Sequence, residues 1–325
     1  GINLSIVCYT FCILLLFYLF MILVLTASYC WTANVLGEIF KHLSVPFFRL
    51  DFDRYWDYKF LFSDNRFEII NSKSEILRSC DVDCVISYKA KLPIDEPFHA
   101  DLKLTDIKWV RANLNYVILS LTRWAIQHSC LKLWTPYEYM YPKTYQMDVA
   151  KKYFAVPSYN IHWGFAMESK SVIVKPLVGR PLGNKGFLYA SVRNVNSLAS
   201  MYPWFTQELA PGNRDATVLY INGKVHSYQF ASERKNLTDW RVTQGTELNR
   251  WEQWDAGEVF EGKVRVFMQE MGLKFGRLDF IIGGKVPQFL EVNPCGQFGW
   301  LDDEDRKLHK EVADAIREPS STITL

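Results

Sequence analysis

The sequence predicts a mixed α/β and α+β protein with more than one domain, and two observations, one near each end of the chain, carry the prediction of the fold class. Near the amino terminus, an apolar run at Met21–Ser28 is followed by helical spacing over Thr32–Leu43 and by a second strand, Val45–Asp51. This strand–helix–strand order is typical of an α/β unit. Near the other end, helical spacing over Glu258–Met271 precedes two strands that flank a Gly-Gly pair between residues 276 and 300. This late segment predicts a helix followed by a β-hairpin.

Between these segments, hydrophobic periodicity and turn residues predict the order of the remaining elements. They are a hairpin around Ser63–Asn65, a helix over Asn113–Cys130, a helix beginning at Lys143, a strand at Ser171–Lys175, a strand at Trp204–Leu209, a hairpin over Ala216–Gln229 with an Asn222–Gly223 turn, and a final helix over Asp305–Arg317. A break at Pro136 and Pro142 predicts a domain boundary near residue 136.

The composition is that of a globular protein. The 325 residues are 49% apolar and 15% aromatic, which is enough for two or three domains with a substantial core. The net charge is only +2 and no long basic run is present, so nucleic acid is not expected as a partner. The seven cysteines are an odd and scattered set, which is more typical of reduced thiols in the cytoplasm than of a disulfide framework.

The amino terminus allows two interpretations. Residues Ile6–Leu25 form an uncharged apolar run of 20 residues, which is long enough for a transmembrane helix. However, Met21–Ser28 is also a good first strand, and one segment cannot be both. No Lys or Arg precedes Lys41, so the basic region of a signal peptide and the usual orientation signal of an anchor are both missing. We therefore expect Met21 to be the natural start, residues 1–20 to be an upstream extension, and a membrane contact only if the apolar run is a real anchor.

Three polar side chains stand out in the last predicted hairpin: Asp279, Glu291 and Asn293. Alternate residues of a strand share a face, so Glu291 and Asn293 point one way while Leu290 and Val292 point to the core. Two carboxylates and an amide oxygen are hard ligands that leave positions for nucleotide phosphates and water, which is how Mg²⁺ is usually held. The alternative is a solvated hairpin with ordinary surface acids, because so short a motif recurs by chance.

The register of this hairpin decides whether Asp279 can join the other two residues. A two-residue loop would place Asp279 opposite Gln288, on the wrong face. A three-residue loop, Gly283–Lys285, places it opposite Phe289 and diagonal to Glu291, roughly 7 to 8 Å away. The metal site therefore predicts a bulged turn instead of a tight two-residue one.

A glycine-containing loop follows the predicted strand that ends at Lys175. The loop, Val178–Gly186, contains Gly183 between the cations Arg180 and Lys185. Such a loop can fold over phosphates through its backbone N–H groups and its positive charges. The pattern alone is not specific, because it lacks the spacing of the common phosphate-binding motifs. An ordinary lysine on an edge strand is the alternative for Lys175.

The order of these features resembles the ATP-grasp fold, from Met21 to about Ile316. Within it, four stretches resemble the peptide-maturing ligases of the microviridin or graspetide type, and the Asn-Pro-x-Gly-Gln ending of the last is the most specific. They are Arg49–Asp53, Trp109–Arg111, Asp239–Arg241 and Glu291–Gln297. After the hydrophobic extension at 1–20, the resemblance implies an N-terminal α/β pre-ATP-grasp domain at 21–135, a central lid subdomain at 136–204, and a C-terminal antiparallel-sheet domain with the Mg²⁺ site at 205–325.

The resemblance also implies ATP and Mg²⁺ as cofactors and assigns a role to each candidate residue. The residues that would contact the ATP phosphates are Lys143, Lys175, Arg180, Gly183 and Lys185. The adenine and ribose hinge would contain Gln207 and Glu208, and the Mg²⁺ ligands would be Asp279, Glu291 and Asn293. The transferring phosphoryl group would be stabilised by Arg241 and Lys175. Two positions depart from the family pattern. Many relatives have Asp-Leu-Arg where this chain has Asp215–Thr217, and Cys295 stands where Asn or Ser is common.

The activity that this resemblance implies is ATP-dependent maturation of a ribosomally made precursor peptide. An Asp or Glu side chain of the peptide would become an acyl phosphate, and a Ser or Thr hydroxyl or a Lys amine would displace the phosphate to close a macrocycle. The implied partners are the leader and core of the precursor, with a homodimer also allowed, in the cytoplasm. One alternative is a ligase that adds free glutamate to a protein or peptide. A second is a catalytically silent peptide-binding protein of the same fold.

Overall fold

The protein is described here from a computed structural model. It describes residues 20–90, 104–134, 141–163, 170–177, 190–198, 201–233 and 250–318. The chain divides into two compact units, of which the first is Gly1–Lys132 with His309–Leu325 and the second is Leu133–Leu308. The finer division at residues 20, 135 and 204 remains a prediction.

The first unit begins with the predicted strand–helix–strand order. Its elements are β1 (Ile22–Thr26), α1 (Trp31–His42), β2 (Phe47–Asp51), β3 (Lys59–Ser63), β4 (Arg66–Ile70), β5 (Ile76–Arg78), β6 (Cys84–Ser87) and α2 (Leu104–Gln127). Strand β1 lies between β2 and β6 and runs parallel to both. Every residue of β1 is buried, which explains why the strand is a continuous apolar run in the sequence.

The apolar amino-terminal run ends inside this sheet. Its last residues belong to β1, so this part of the run forms protein core. Residues 1–19 lie outside the described residues. No helix in the described part of the chain has the length and apolarity that a membrane span requires.

The predicted hairpin around residues 63–65 joins β3 to β4, and β5 completes a three-stranded antiparallel sheet. Asp64 and Asn65 adopt positive φ angles of 49° and 60°, which short polar residues tolerate in a tight turn. Helix α2 begins at Leu104 instead of Asn113, so its predicted start was wrong. Among its described side chains, those that pack in the core of this unit begin at Leu114, and periodicity detects that packed part.

The second unit contains two antiparallel sheets. Its elements are α3 (Lys143–Ala150), β7 (Tyr159–His162), β8 (Ser171–Lys175), β9 (Ser191–Asn194), β10 (Trp204–Gln207), β11 (Arg214–Ile221), β12 (Lys224–Phe230), β13 (Trp251–Gln253), α4 (Glu258–Glu270), β14 (Phe275–Ile282), β15 (Gln288–Asn293) and the start of α5 (Lys307–Arg317). The four-stranded sheet has the order β7-β10-β8-β9, and the five-stranded sheet has the order β13-β12-β11-β14-β15.

One face of the five-stranded sheet packs on an apolar core. The other, which we call the polar face, carries polar side chains around Asp279 beside buried apolar residues such as Leu219 and Ile281. Val218 of β11 and Phe280 of β14 are fully buried on the apolar face, in a core shared with Met147 of α3 and Phe267 of α4. Because side chains alternate along a strand, the odd-numbered residues of this part of β11 and β14 lie on the opposite face. Those residues include Asp279, so the sheet presents the predicted metal ligand away from the core.

Candidate functional site

Strands β14 and β15 bring the two predicted metal-binding carboxylates directly opposite each other. Asp279 is the cross-strand partner of Glu291, whereas the sequence predicted a partnership between Asp279 and Phe289. Opposite side chains on one face have Cβ atoms about 4.5 to 5.5 Å apart. The predicted register was therefore wrong: Asp279 and Glu291 are direct cross-strand partners and not diagonal ones, which places their Cβ atoms closer together than predicted.

The error comes from a bulge inside the hairpin and from a longer loop. The strands are separated by residues 283–287, not by the predicted three residues, and the register shifts by one between Asp279 and Phe280. The shift leaves Leu290 without a partner on β14. As a result Phe289 and Val292 both join the core although they are three residues apart, while Leu290 is only half-buried. The prediction that Leu290 faces the core was therefore wrong.

The carboxylate of Asp279 is held by three donors. Nε and Nη2 of Arg277 donate to its Oδ1 and Oδ2 at 3.2 and 3.1 Å, and Oγ1 of Thr217 donates to Oδ1 at 2.9 Å. An ionised carboxylate offers about four lone-pair sites, so these donors leave room for one further interaction. The side chains of Arg277 and Asp279 are 9% and 18% exposed. This pair is partly shielded from water, which strengthens its electrostatic attraction.

Sequence reasoning did not single out Arg277. Its Nη1 also donates to the carbonyl oxygen of Gln297 at 3.0 Å, and its guanidinium carbon lies over the ring of Trp300, 5.7 Å from the centroid. The signal in the sequence was the spacing Arg277-Leu-Asp279, which puts both side chains on one face of a strand. Many relatives have an arginine where this chain has Thr217. Thr217 is paired with Asp279 on the neighbouring strand β14, and Arg277, two residues before Asp279, supplies a guanidinium on the same face.

Glu291 also forms an ion pair with a basic side chain. Lys143, the first residue of α3, donates from Nζ to Oε2 of Glu291, and both side chains are 20% exposed. The sequence assigned Lys143 to nucleotide phosphates and Glu291 to the metal, and the structure brings the two together. The polar face therefore contains two opposed carboxylates, each with a basic side chain beside it.

Asn293 lies on the same face as Glu291 and begins a tight turn. Its side-chain oxygen accepts a hydrogen bond from the backbone N–H of Cys295 at 3.1 Å, and its carbonyl accepts from the N–H of Gly296 at 3.1 Å. A Cβ added at Gly296 would stand 2.7 Å from the Cβ of Arg277. Glycine is therefore required at position 296 because this turn packs directly on the strand that carries Arg277.

Helix α3 also protects the edge of the sheet at β15. Oε1 of Gln146 accepts a hydrogen bond from the backbone N–H of Val292 at 2.9 Å, and its Nε2 donates to the carbonyl of Tyr141 at 2.8 Å. Gln146 is 5% exposed. A buried amide that satisfies an edge strand in this way fixes the helix against the strand that carries Glu291.

Comparison with known proteins places this geometry in a known fold. A RiPP-associated ATP-grasp ligase from Chryseobacterium gregarium, in complex with ADP and a leader and core peptide, matches with a TM-score of 0.77 and 17% identity over 92% of this chain and 98% of that one. The macrocyclase MdnC from Microcystis aeruginosa MRC, bound with precursor peptide MdnA, matches with a TM-score of 0.73 and 18% identity over 91% and 99% of the two chains. The chain has the ATP-grasp fold.

The same fold extends to more distant ligases. The D-alanine–D-alanine ligase from Bacillus anthracis complexed with ATP matches with a TM-score of 0.53 and 9% identity, covering 92% of this chain and 96% of that one. No protein-family model and no curated protein matches the sequence. The likeness is therefore one of architecture, and it confirms the fold class that the sequence predicted.

Within this ATP-grasp fold, two further predicted residues meet on the four-stranded sheet. Nζ of Lys175 on β8 donates to Oε1 of Gln207 on β10 at 3.3 Å, and Gln207 is 2% exposed. Glu208 follows, and Lys170 donates to its carboxylate at 3.1 Å. The hydrogen bond from Lys170 lowers the pKa of Glu208, so its side chain is ionised near neutral pH. The structure thus brings Lys175 and Gln207 together and leaves the Glu208 side chain in an exposed ion pair.

Four of the predicted ATP-grasp site residues lie outside the described residues. They are Arg180, Gly183, Lys185 and Arg241. Their roles remain predictions.

The three residues predicted as metal ligands offer oxygen atoms only: two carboxylates and one amide. Among the described residues, no group of three or more His, Cys, Asp and Glu side chains is placed to hold a metal ion. Asp279, Glu291 and Asn293 instead combine two carboxylates with an amide oxygen on one face. Such an oxygen-only set, open to water and phosphate, is the kind that Mg²⁺ uses.

Proposed function

We propose that the protein is an ATP-dependent ligase that matures a ribosomally made precursor peptide. The observation that carries this proposal is the opposition of Asp279 and Glu291 on the open face of an ATP-grasp sheet, with Arg277 and Lys143 beside them. The matched structures support the substrate class, since one is described with a leader and core peptide and another with precursor peptide MdnA.

In this proposal Asp279, Glu291 and Asn293 would hold Mg²⁺ together with the ATP phosphates. When bound, the ion neutralises phosphate charge and polarises the transferring group. The protein's own part is positioning and charge balance. Lys143 lies at the carboxylate pair, and Arg277 presents a guanidinium that three hydrogen bonds hold within its own plane. Preorganised cations of this kind stabilise developing negative charge without having to reorganise during the reaction.

The proposed reaction has two steps. A side-chain carboxylate of the peptide attacks the γ-phosphorus of ATP, the bond to the β-phosphate oxygen breaks, and ADP and an acyl phosphate form. A Ser or Thr hydroxyl or a Lys amine then attacks the acyl carbon, phosphate leaves, and an ester or amide closes the ring. The nucleophile loses one proton in this step, and we assign no general base among the described residues. Arg241 is proposed to assist the phosphoryl transfer.

The nucleotide is proposed to extend from this face toward the four-stranded sheet. Lys175 would contact its phosphates, together with Arg180, Gly183 and Lys185 of the loop that follows. Gln207 and Glu208 would receive the adenine and ribose. A buried amide at Gln207, whose Nε2 lies 3.8 Å from the sulfur of Met147, has a fixed orientation suited to such a contact.

Replacement of Lys175 by Met is expected to weaken ATP binding by about 10- to 100-fold, because a charge-assisted contact to phosphate is removed at nearly constant side-chain length. Titration of a fluorescent ATP analogue measures the change. Lys151→Met provides the control, since Lys151 is an exposed lysine paired with Asp148 at 3.4 Å. Equal ATP affinity in both variants would mean that Lys175 does not contact the nucleotide and is an ordinary solvated lysine on its strand.

The substrate class is tested with a short peptide rich in Thr, Ser, Asp and Glu that is encoded beside the gene for this protein. Its mass is measured after incubation with the enzyme, ATP and Mg²⁺. Loss of one water per ring supports macrocyclisation. A gain of one amino-acid residue would instead support the ligase that adds free glutamate, an alternative consistent with the shared fold of an amino-acid ligase. An unchanged peptide with no ADP formed would support the silent peptide-binding protein and contradict the proposal.

The cysteines are consistent with a reducing compartment. The five described cysteines are free thiols, and burial raises the pKa of Cys130 to about 11. A thiol of this kind stays protonated and unreactive at neutral pH. The cytoplasmic location and the homodimer belong to the same proposal.

A further inference from the structure

The guanidinium of Arg277 is fixed in its own plane and also covered on its flat side. In the plane, it donates to both oxygens of Asp279 and to the carbonyl of Gln297. Above the plane, its carbon lies 5.7 Å from the ring centroid of Trp300. Arginine binds aromatic faces well because its planar, weakly hydrated cation is attracted to the π electrons.

Trp300 is itself held by neighbours on both sides along the chain. It lies in a short 3₁₀ turn, Gly299–Leu301, that follows the turn at Asn293. Phe298 before it is fully buried and Leu301 after it is 8% exposed, so both anchor the turn. The half-buried indole at position 300 is thereby directed onto the polar face of the sheet.

A second aromatic group supports Trp300 from across the sheet. The ring of Trp251 on β13 lies 5.0 Å from that of Trp300 with an interplanar angle of 50°. Trp251 in turn packs edge to face on Phe230, 5.2 Å away, which is its cross-strand partner on β12. Phe230 is 3% exposed. A continuous aromatic chain therefore connects the buried sheet to the face of the Arg277 guanidinium.

We propose that Trp300 is a positioning residue that orients Arg277 for phosphoryl transfer. This inference rests on the proposed function, because Trp300 can affect catalysis only if Arg277 takes part in phosphoryl transfer. Without the indole, the guanidinium keeps its in-plane hydrogen bonds but loses the contact that excludes water from its flat side. It would then tilt and be screened, and its stabilisation of the transferring group would fall.

A double-mutant cycle tests this role. ADP formation is measured with ATP, Mg²⁺ and the neighbouring-gene peptide that the wild type modifies. The proteins compared are the wild type, Trp300→Leu, Trp300→Phe, Arg277→Lys and Trp300→Leu/Arg277→Lys. We expect Trp300→Leu to lower kcat by about 10- to 100-fold, comparable to loss of other residues that orient a reactive group. We expect Trp300→Phe to restore most of the rate, because it keeps an aromatic face. In the Arg277→Lys background, Trp300→Leu should change kcat by less than about threefold.

Trp254→Leu is the matched structural control. Trp254 packs against the apolar core and lies 5.3 Å from Phe260, away from Arg277. Its replacement should lower the free energy of unfolding, and any effect on kcat should multiply with that of Arg277→Lys. The same multiplicative behaviour for Trp300→Leu, or no recovery in Trp300→Phe, would overturn the positioning role while leaving the ligase proposal intact. No ADP formation by the wild type would overturn both.

Discussion

The variant Glu291→Gln is expected to lower ATP turnover at least about 100-fold while the protein remains folded. The substitution removes one negative charge with almost no change of volume. It takes a charged oxygen ligand from the proposed Mg²⁺ site and also breaks the ion pair with Lys143. The amide oxygen of the new side chain can still accept the hydrogen bond from Lys143, so the cost in stability should be modest although both side chains are only 20% exposed. ADP release and urea unfolding measure the two quantities.

Glu252→Gln is the control for this substitution. Glu252 is an exposed residue of β13 in the same sheet, and it accepts a hydrogen bond from Gln229 at 2.9 Å. It lies on the opposite face from Glu291. The directly paired residues that cross the sheet from Glu291 end at Gln253 on β13, and Glu252 is the adjacent residue of that strand, so its side chain points the other way. We expect this variant to retain turnover within about twofold. Wild-type turnover in Glu291→Gln would exclude the carboxylate pair as the metal site.

The variant Arg277→Lys is expected to lower kcat by about 100- to 1000-fold, the range found when one preorganised donor to a transition-state charge is lost. Lysine keeps the charge but cannot bind both oxygens of Asp279 and the carbonyl of Gln297 at once. The KM for ATP should change much less, because the effect is on the transferring group and not on nucleotide affinity. Steady-state ADP formation gives both parameters.

Arg265→Lys is the matched control for Arg277→Lys. Arg265 is a half-exposed arginine on α4 that bonds Glu261 at 2.9 Å and the carbonyl of Gly223 at 3.1 Å. The Arg265→Lys variant therefore removes a guanidinium with two hydrogen-bond partners at a position away from the polar face. If both variants lose kcat equally, or if Arg277→Lys only raises the KM for ATP, Arg277 would have no special part in the transfer step.

Element order was predictable because it depends on local pattern. The buried strand at Ile22–Thr26 is an unbroken apolar run, and the Asn222–Gly223 turn adopts the positive φ angles, 44° and 99°, that its residues favour. Helix α4 begins at the predicted residue, Glu258. Each of these features is specified by neighbours in sequence, so no knowledge of distant contacts was needed.

The register of the hairpin formed by β14 and β15 could not be predicted in the same way. The bulge at Leu290 exists because Phe289 and Val292 are both accommodated in the core with residues of α3 and α4. The bulge therefore depends on packing against helices that are distant in sequence, and the hairpin sequence alone does not predict it. The importance of Arg277 was hidden for the same reason. An arginine on a strand is ordinary until the structure shows that it bonds Asp279 and lies against Trp300.

Helix α3 touches β15 at two consecutive residues of the strand. Gln146 accepts the N–H of Val292, and Lys143, one turn earlier on the helix, bonds Glu291. The helix and the strand must consequently move as one body. In the proposed enzyme, the spacing between the ammonium that meets the triphosphate and the carboxylate that meets the cation is set before either ligand arrives. Little ordering entropy is then lost at this edge when they bind, and the adjustments that accompany nucleotide capture must occur in other parts of the protein.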